Sequence, residues 1–156
     1  MKAASIQEIK SAIAELDPKS LREVCLRLAK HKKENKELLS YLLFESEHEE
    51  DFIQQVKAEM QLQFQEVNTS NLYFSKKTFR KILRNTNKHI RFIGSKSAEA
   101  ELLIYYCGLI KNSGVDYKNS VVLTNLYKQQ QKKIAAAVAT LHEDLQFDFQ
   151  KSMESL

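Results

Sequence analysis

The sequence predicts an all-α protein, an irregular bundle of about seven helices, and three observations carry that prediction. Only three glycines and one proline occur in 156 residues, too few for the positive-φ turns that join the strands of an all-β chain. Apolar residues recur every three or four positions over most of the length, the period of a helix with one buried face. The breaks between these stretches are short and rich in helix-capping residue types. Short breaks favour antiparallel neighbours, so a short α-solenoid-like stack of helical hairpins is the alternative arrangement. No fixed-period repeat with a shared consensus favours it over the bundle. A single all-α domain over residues 1–156 is expected, since a chain of about 150 residues hides roughly 68–70% of its unfolded surface without staples.

Each helix has its own signals. The first, 5–16, carries Ile6, Ile9, Ile13 and Leu16 on one stripe, and Ser5 with Glu8 has capping-box spacing. Asp17 caps the second, and Pro18 suits its first position, where the missing N–H has no partner in any case. Its apolar face is Leu21, Val24, Cys25 and Leu28, and the basic run Lys30-His31-Lys32-Lys33 suits the negative end of the helix dipole. The third, 34–45, presents Leu38, Leu39, Leu42 and Leu43, with Tyr41 and Phe44 widening the arc. The fourth, 49–67, buries Phe52, Val56, Met60, Phe64 and Val67 behind a first turn of Glu49, Glu50 and Asp51. Asn68 to Asn71 is a run of turn formers and the best candidate for a division between two helical halves. The fifth helix, 76–92, turns Phe79, Ile82, Leu83 and Ile90 inward and stops at Gly94. The sixth, 98–111, offers Leu102, Leu103, Tyr106, Leu109 and Ile110. Gly108 inside it costs about 1 kcal/mol of helix propensity and predicts a close helix–helix contact. The last, 119–150, is the longest, with Leu123, Tyr127, Ile134, Val138, Leu141, Leu145 and Phe149 in one stripe, and is expected to pack across several others.

Several function classes find no support. The first residues lack the apolar region of a signal peptide, and no run approaches about 18 apolar residues, so a cytoplasmic protein with no membrane segment is expected. Cys25 and Cys107 lie in apolar patterns and read as small buried hydrophobes rather than a disulfide. None of His31, His48, His89 and His142 stands in a His-Glu-x-x-His motif. Glu45 and His48 match the Glu-x-x-His element of di-iron bundles, but Leu28, Thr86 and Ala139 stand three places before the other histidines, so no second element completes the set. Gly94, Gly108 and Gly114 are isolated, so no glycine-rich loop cradles a phosphate. No catalytic, metal or cofactor residue is assigned, no cofactor is expected, and the chain is not read as an enzyme.

Charge is the one feature that points to a partner. The net +4 conceals segments of +3 over 1–44, −6 over 45–67, +8 over 68–98 and −1 over the remainder. The basic block holds no acid at all, and Lys77, Arg80, Lys81, Arg84, Lys88 and Arg91 recur at helical spacing on one face. A cationic stripe without acid partners attracts phosphate backbones by counterion release. The competing reading is a solvated outer face, neutralised by the acidic segment that precedes it; an acidic protein partner is a third. A lack of surface-placed aromatics argues against a stacking platform for single strands. Tyr73 with Phe74, Tyr105 with Tyr106, and Phe147 with Phe149 nevertheless exceed what one helical face hides. Phe147 and Phe149 are two apart, and an exposed patch there, near the C-terminus, would mark an interface, with core packing as the competing reading. The expected function is a non-enzymatic helical protein-interaction module, with an unidentified protein or a second copy as partner. Nucleic-acid binding through the basic helix at 76–96 is the alternative.

The opening Ile6-Gln7-Glu8-Ile9-Lys10 through Leu16-Asp17-Pro18-Lys19-Ser20-Leu21, followed by short Leu-rich helices, resembles small uncharacterised all-helical bacterial proteins. The resemblance covers the first third of the chain and implies neither an activity nor site residues.

Overall fold

The computed structural model describes residues 2–156, and among them it holds eight α-helices and no strand. The protein is all-α. Its packing divides into two compact units, 1–45 and 46–156. The division falls after Glu45, and the turn at 68–71 lies inside the second unit.

The first unit contains α1 (Ile6–Ala14), α2 (Pro18–His31), α3 (Lys33–Ser40) and a π-helical turn, Tyr41–Glu45. Its helix starts are built as the sequence implies. Ser5 and Glu8 form the reciprocal capping box, and the Asp17 carboxylate accepts from the N–H groups of Lys19 and Ser20 at 2.9 and 3.0 Å. α2 packs on α3, and the Asn35 side-chain amide donates to the Leu28 carbonyl at 2.9 Å across their junction. The apolar faces expected to be inward are mostly open to water: among the described residues of this unit only Tyr41 is buried, while Leu28, Leu42, Leu43 and Phe44 are exposed. Three short helices cannot enclose an interior, because surface outweighs volume at this size.

The second unit is an irregular bundle. After a 3₁₀ turn at Ser46–His48 come α4 (Glu49–Gln65), α5 (Leu72–Ile93), α6 (Lys96–Asn112), a 3₁₀ turn at Tyr117–Asn119, α7 (Val121–Val138) and α8 (Glu143–Glu154). α6 is the central rod and packs against α4, α5, α7 and α8. It buries Ala98, Ala100, Leu102, Leu103, Tyr106, Cys107 and Ile110, apolar groups distributed around the helix as a central position demands. Phe64 of α4 contacts the rings of Phe79 and Tyr106 at 5.2 and 5.8 Å, and the Tyr106 hydroxyl donates to the Phe79 carbonyl at 2.9 Å.

Three details differ from the sequence reading. The long final helix is broken at 139–142 into α7 and α8. His142 caps α8 through Nδ1, which accepts the Asp144 N–H at 3.4 Å, while the Gln146 amide donates back to the Leu141 carbonyl at 2.8 Å. The break lets α8 fold back so that Phe149, Met153 and Leu156 pack against the core instead of projecting into water. Gly108 makes no close helix contact: a Cβ built there meets nothing within 4 Å. Finally, α5 begins at Leu72, one turn earlier than the charge pattern suggested.

Candidate functional site

The first turn of α5 is fixed by its own sequence. The Asn71 side-chain oxygen accepts from the N–H groups of Tyr73 and Phe74 at 2.9 and 3.4 Å, satisfying donors that have no helical partner. The buried Ser75 hydroxyl lies 2.6 Å from the Asn68 carbonyl and 3.1 Å from that of Asn71, tying the 68–71 turn to the helix. Gly94 ends α5 in the left-handed conformation, φ 72°, which glycine adopts without steric cost.

From this start the cations fall on one side. At 3.6 residues per turn, Lys77, Arg80, Lys81, Arg84, Lys88 and Arg91 occupy an arc of about 100°. Lys77, Arg80, Lys81, Arg84 and Arg91 are exposed and Lys88 is half-buried, whereas Phe79, Ile82, Thr86 and Ile90 on the other side are buried. Lys88 and Arg91 interact with neighbouring groups. Lys77, Arg80, Lys81 and Arg84 have no carboxylate within 4.0 Å among the described residues.

The acidic helix does not cover these four. α4 and α5 run antiparallel: Phe64 meets Phe79 at 5.2 Å, Met60 Sδ lies 3.2 Å from Thr86 Oγ1, and Phe52 meets His89 at 5.5 Å. That register puts the carboxylate-rich first turn of α4, with Glu49, Glu50 and Asp51, beside the C-terminal part of α5. The part bearing Lys77 to Arg84 lies against the second half of α4, whose Glu59 faces His89 at 3.9 Å.

Two rings adjoin the stripe. Tyr73 precedes Lys77 by one turn and therefore shares its face, with Phe74 alongside. They are 63% and 50% exposed, with ring centroids 5.4 Å apart in an edge-to-face arrangement. The Lys76 ammonium lies 5.5 Å from the Tyr73 ring centroid. A helix starting at Lys76, as the charge pattern predicts, leaves these rings outside it; the start at Leu72 puts them on the cationic face. At the opposite end of α5 a cleft of about 480 Å³ is lined by Asn87, Arg91, Ser95, Lys96, Glu99 and, from α7, Lys133. Within it Lys96 pairs with Glu99 at 2.6 Å.

Burial works against ionisation of the two neighbouring groups at the centre of α6. Burial pushes the Cys107 thiol up to about 12 and raises the Tyr106 hydroxyl well above its usual range. Both cysteines are free thiols, Cys107 buried and Cys25 half-buried. Among the described residues no three His, Cys, Asp or Glu side chains converge as a metal-ligand set, and no helix is long and apolar enough to cross a membrane. Comparison with family models, curated proteins and solved structures finds no match for this chain.

Proposed function

We propose that the protein is a non-enzymatic module that binds nucleic acid through the outward face of α5. One observation carries the reading: Lys77, Arg80, Lys81 and Arg84 form an exposed cationic run with no carboxylate within 4.0 Å among the described residues. Like charges so close repel one another, and a polyanion relieves that repulsion while releasing its own condensed counterions. An acidic segment lies next to this run in sequence, yet helix register carries its densest charge, Glu49, Glu50 and Asp51, to the other end of α5. The cytoplasm is the compartment of this reading, where two free thiols stay reduced.

Anisotropy of fluorescein-labelled single-stranded and duplex oligonucleotides with the full chain, followed from about 50 to 200 mM salt, tests it. Affinity should fall with salt with a log–log slope of about −3, since four phosphate contacts on a single strand contribute about −0.7 each. Combining Arg80→Glu, Lys81→Glu and Arg84→Glu should weaken binding by about two orders of magnitude and leave the helical circular dichroism unchanged. A wild type that shows no salt-sensitive binding to either oligonucleotide defeats the proposal.

A second reading has its own observation. The stripe Ile6, Ile9 and Ile13 on α1, continued by Leu16 just past its end, is exposed along its whole length. An apolar stripe of this kind suits a helix of another protein chain, and we take a second copy as its partner.

A further inference from the structure

We propose that the ligand of the α5 face is single-stranded rather than duplex nucleic acid, with bases stacking on Tyr73 and Phe74 while phosphates follow Lys77, Arg80, Lys81 and Arg84. This rests on the nucleic-acid reading and narrows it. The rings carry the distinction. Apolar aromatic surface is normally withdrawn from water, yet here two adjacent rings stand half or more exposed on a turn that the Asn71 side chain caps. Their planes are 79° apart, so each offers a face in a different direction and together they suit two bases splayed from one backbone. Lys76 lies over one face of the Tyr73 ring, so a base stacked on Tyr73 takes the other face. In a duplex the faces of the bases are already stacked on each other. Only unpaired bases have a face to give.

The cations are placed to continue the path. Lys77, the Arg80–Lys81 pair and Arg84 occupy successive turns at a pitch of about 5.4 Å, a track leading directly away from the rings. A stacking platform at one end of a positive track is the recurring arrangement for single strands without strong sequence preference. An anionic lipid surface also attracts rings and cations. However, insertion there needs a whole apolar helix face, and that of α5 is committed to Phe79, Ile82 and Ile90 in the core.

The test uses the full chain and three probes: oligothymidylate of about 20 nucleotides, its duplex with oligoadenylate, and phosphatidylserine vesicles. The single strand should bind at least about tenfold more tightly than the duplex, and should quench tyrosine fluorescence in this tryptophan-free chain. Tyr73→Ala and Phe74→Ala should each cost about tenfold on the single strand and nothing on the duplex. Tyr73→Phe should bind as the wild type does, and Tyr73→Leu, which keeps apolar bulk without a π face, should bind as Tyr73→Ala does. Equal affinity for both nucleic acids, with the ring variants silent, overturns the stacking inference and leaves phosphate binding standing. Wild-type affinity in Tyr73→Leu overturns it too. Binding to vesicles with no binding to either oligonucleotide overturns both proposals.

Discussion

Cys107 and Tyr106, neighbours in the middle of α6, differ in what burial does to them. Tyr106 keeps a partner for its hydroxyl in the Phe79 carbonyl, so its polar tip costs little inside the bundle. Cys107 is enclosed with its thiol pushed up to about 12 from an ordinary 9.0, by desolvation of the thiolate. Tyr127, whose hydroxyl donates to the Leu156 carbonyl, is pushed up to about 12 from 10.0 for the same reason first. The sign follows from linkage. Below about pH 8 both groups are protonated in the folded and unfolded chains, and the fold bears no cost. As pH rises toward 12 the unfolded chain ionises while the folded one resists, so stability drains away. The melting temperature should therefore hold steady to about pH 8 and decline steadily above it, with part of the decline removed in Cys107→Ala. A thiol reagent at pH 8 should modify Cys25 readily and Cys107 only after denaturation; equal rates for the two would contradict the burial of Cys107.

Among the helices, α6 shows how propensity and packing separate. Gly108 weakens the helix, and the natural inference was a neighbouring backbone too close for a side chain. The space is open instead. Gly108→Ala should accordingly stabilise the protein by about 0.5–1 kcal/mol, read as a higher denaturant midpoint with an unchanged slope. A destabilised variant would mean that something does approach that position. α5 illustrates the reverse, a local signal that decides placement. Asn71 sets the first residue of the helix, and shifting the start from Lys76 to Leu72 brings Tyr73 onto the cationic face. α7 and α8 read as one helix because their apolar stripe continues through 139–142. What breaks it is the burial available to Phe149 and Met153 once the chain turns back, together with the His142 cap. Periodicity cannot report that, since a stripe looks the same whether its helix is straight or folded on itself.

For the whole molecule, the contrast between the two units sets the expectation. Residues 46–156 hold the contiguous core from Ile53 to Val138, and α5 with its rings and cations belongs to it entirely. Expressed alone, 46–156 should unfold cooperatively and bind oligonucleotides with the affinity of the full chain. It should also lose any concentration-dependent association, which in the second reading belongs to α1. If the fragment associates as the full chain does, α1 is not the contact. Sedimentation of the two chains side by side distinguishes these outcomes.

The helical class, the caps at Ser5 and Asp17 and the common face of Lys77 to Arg91 are all legible in the sequence, because each arises within one or two turns of chain and depends on nothing distant. Three things were decided only by tertiary structure: which apolar stripes become core, where the last helix breaks, and whether −6 meets +8. Burial and charge neutralisation depend on what lies across a helix, and register between α4 and α5 is set by Phe64, Met60 and Phe52 finding Phe79, Thr86 and His89. Those contacts join residues far apart in the chain, and they are what leaves four cations facing water.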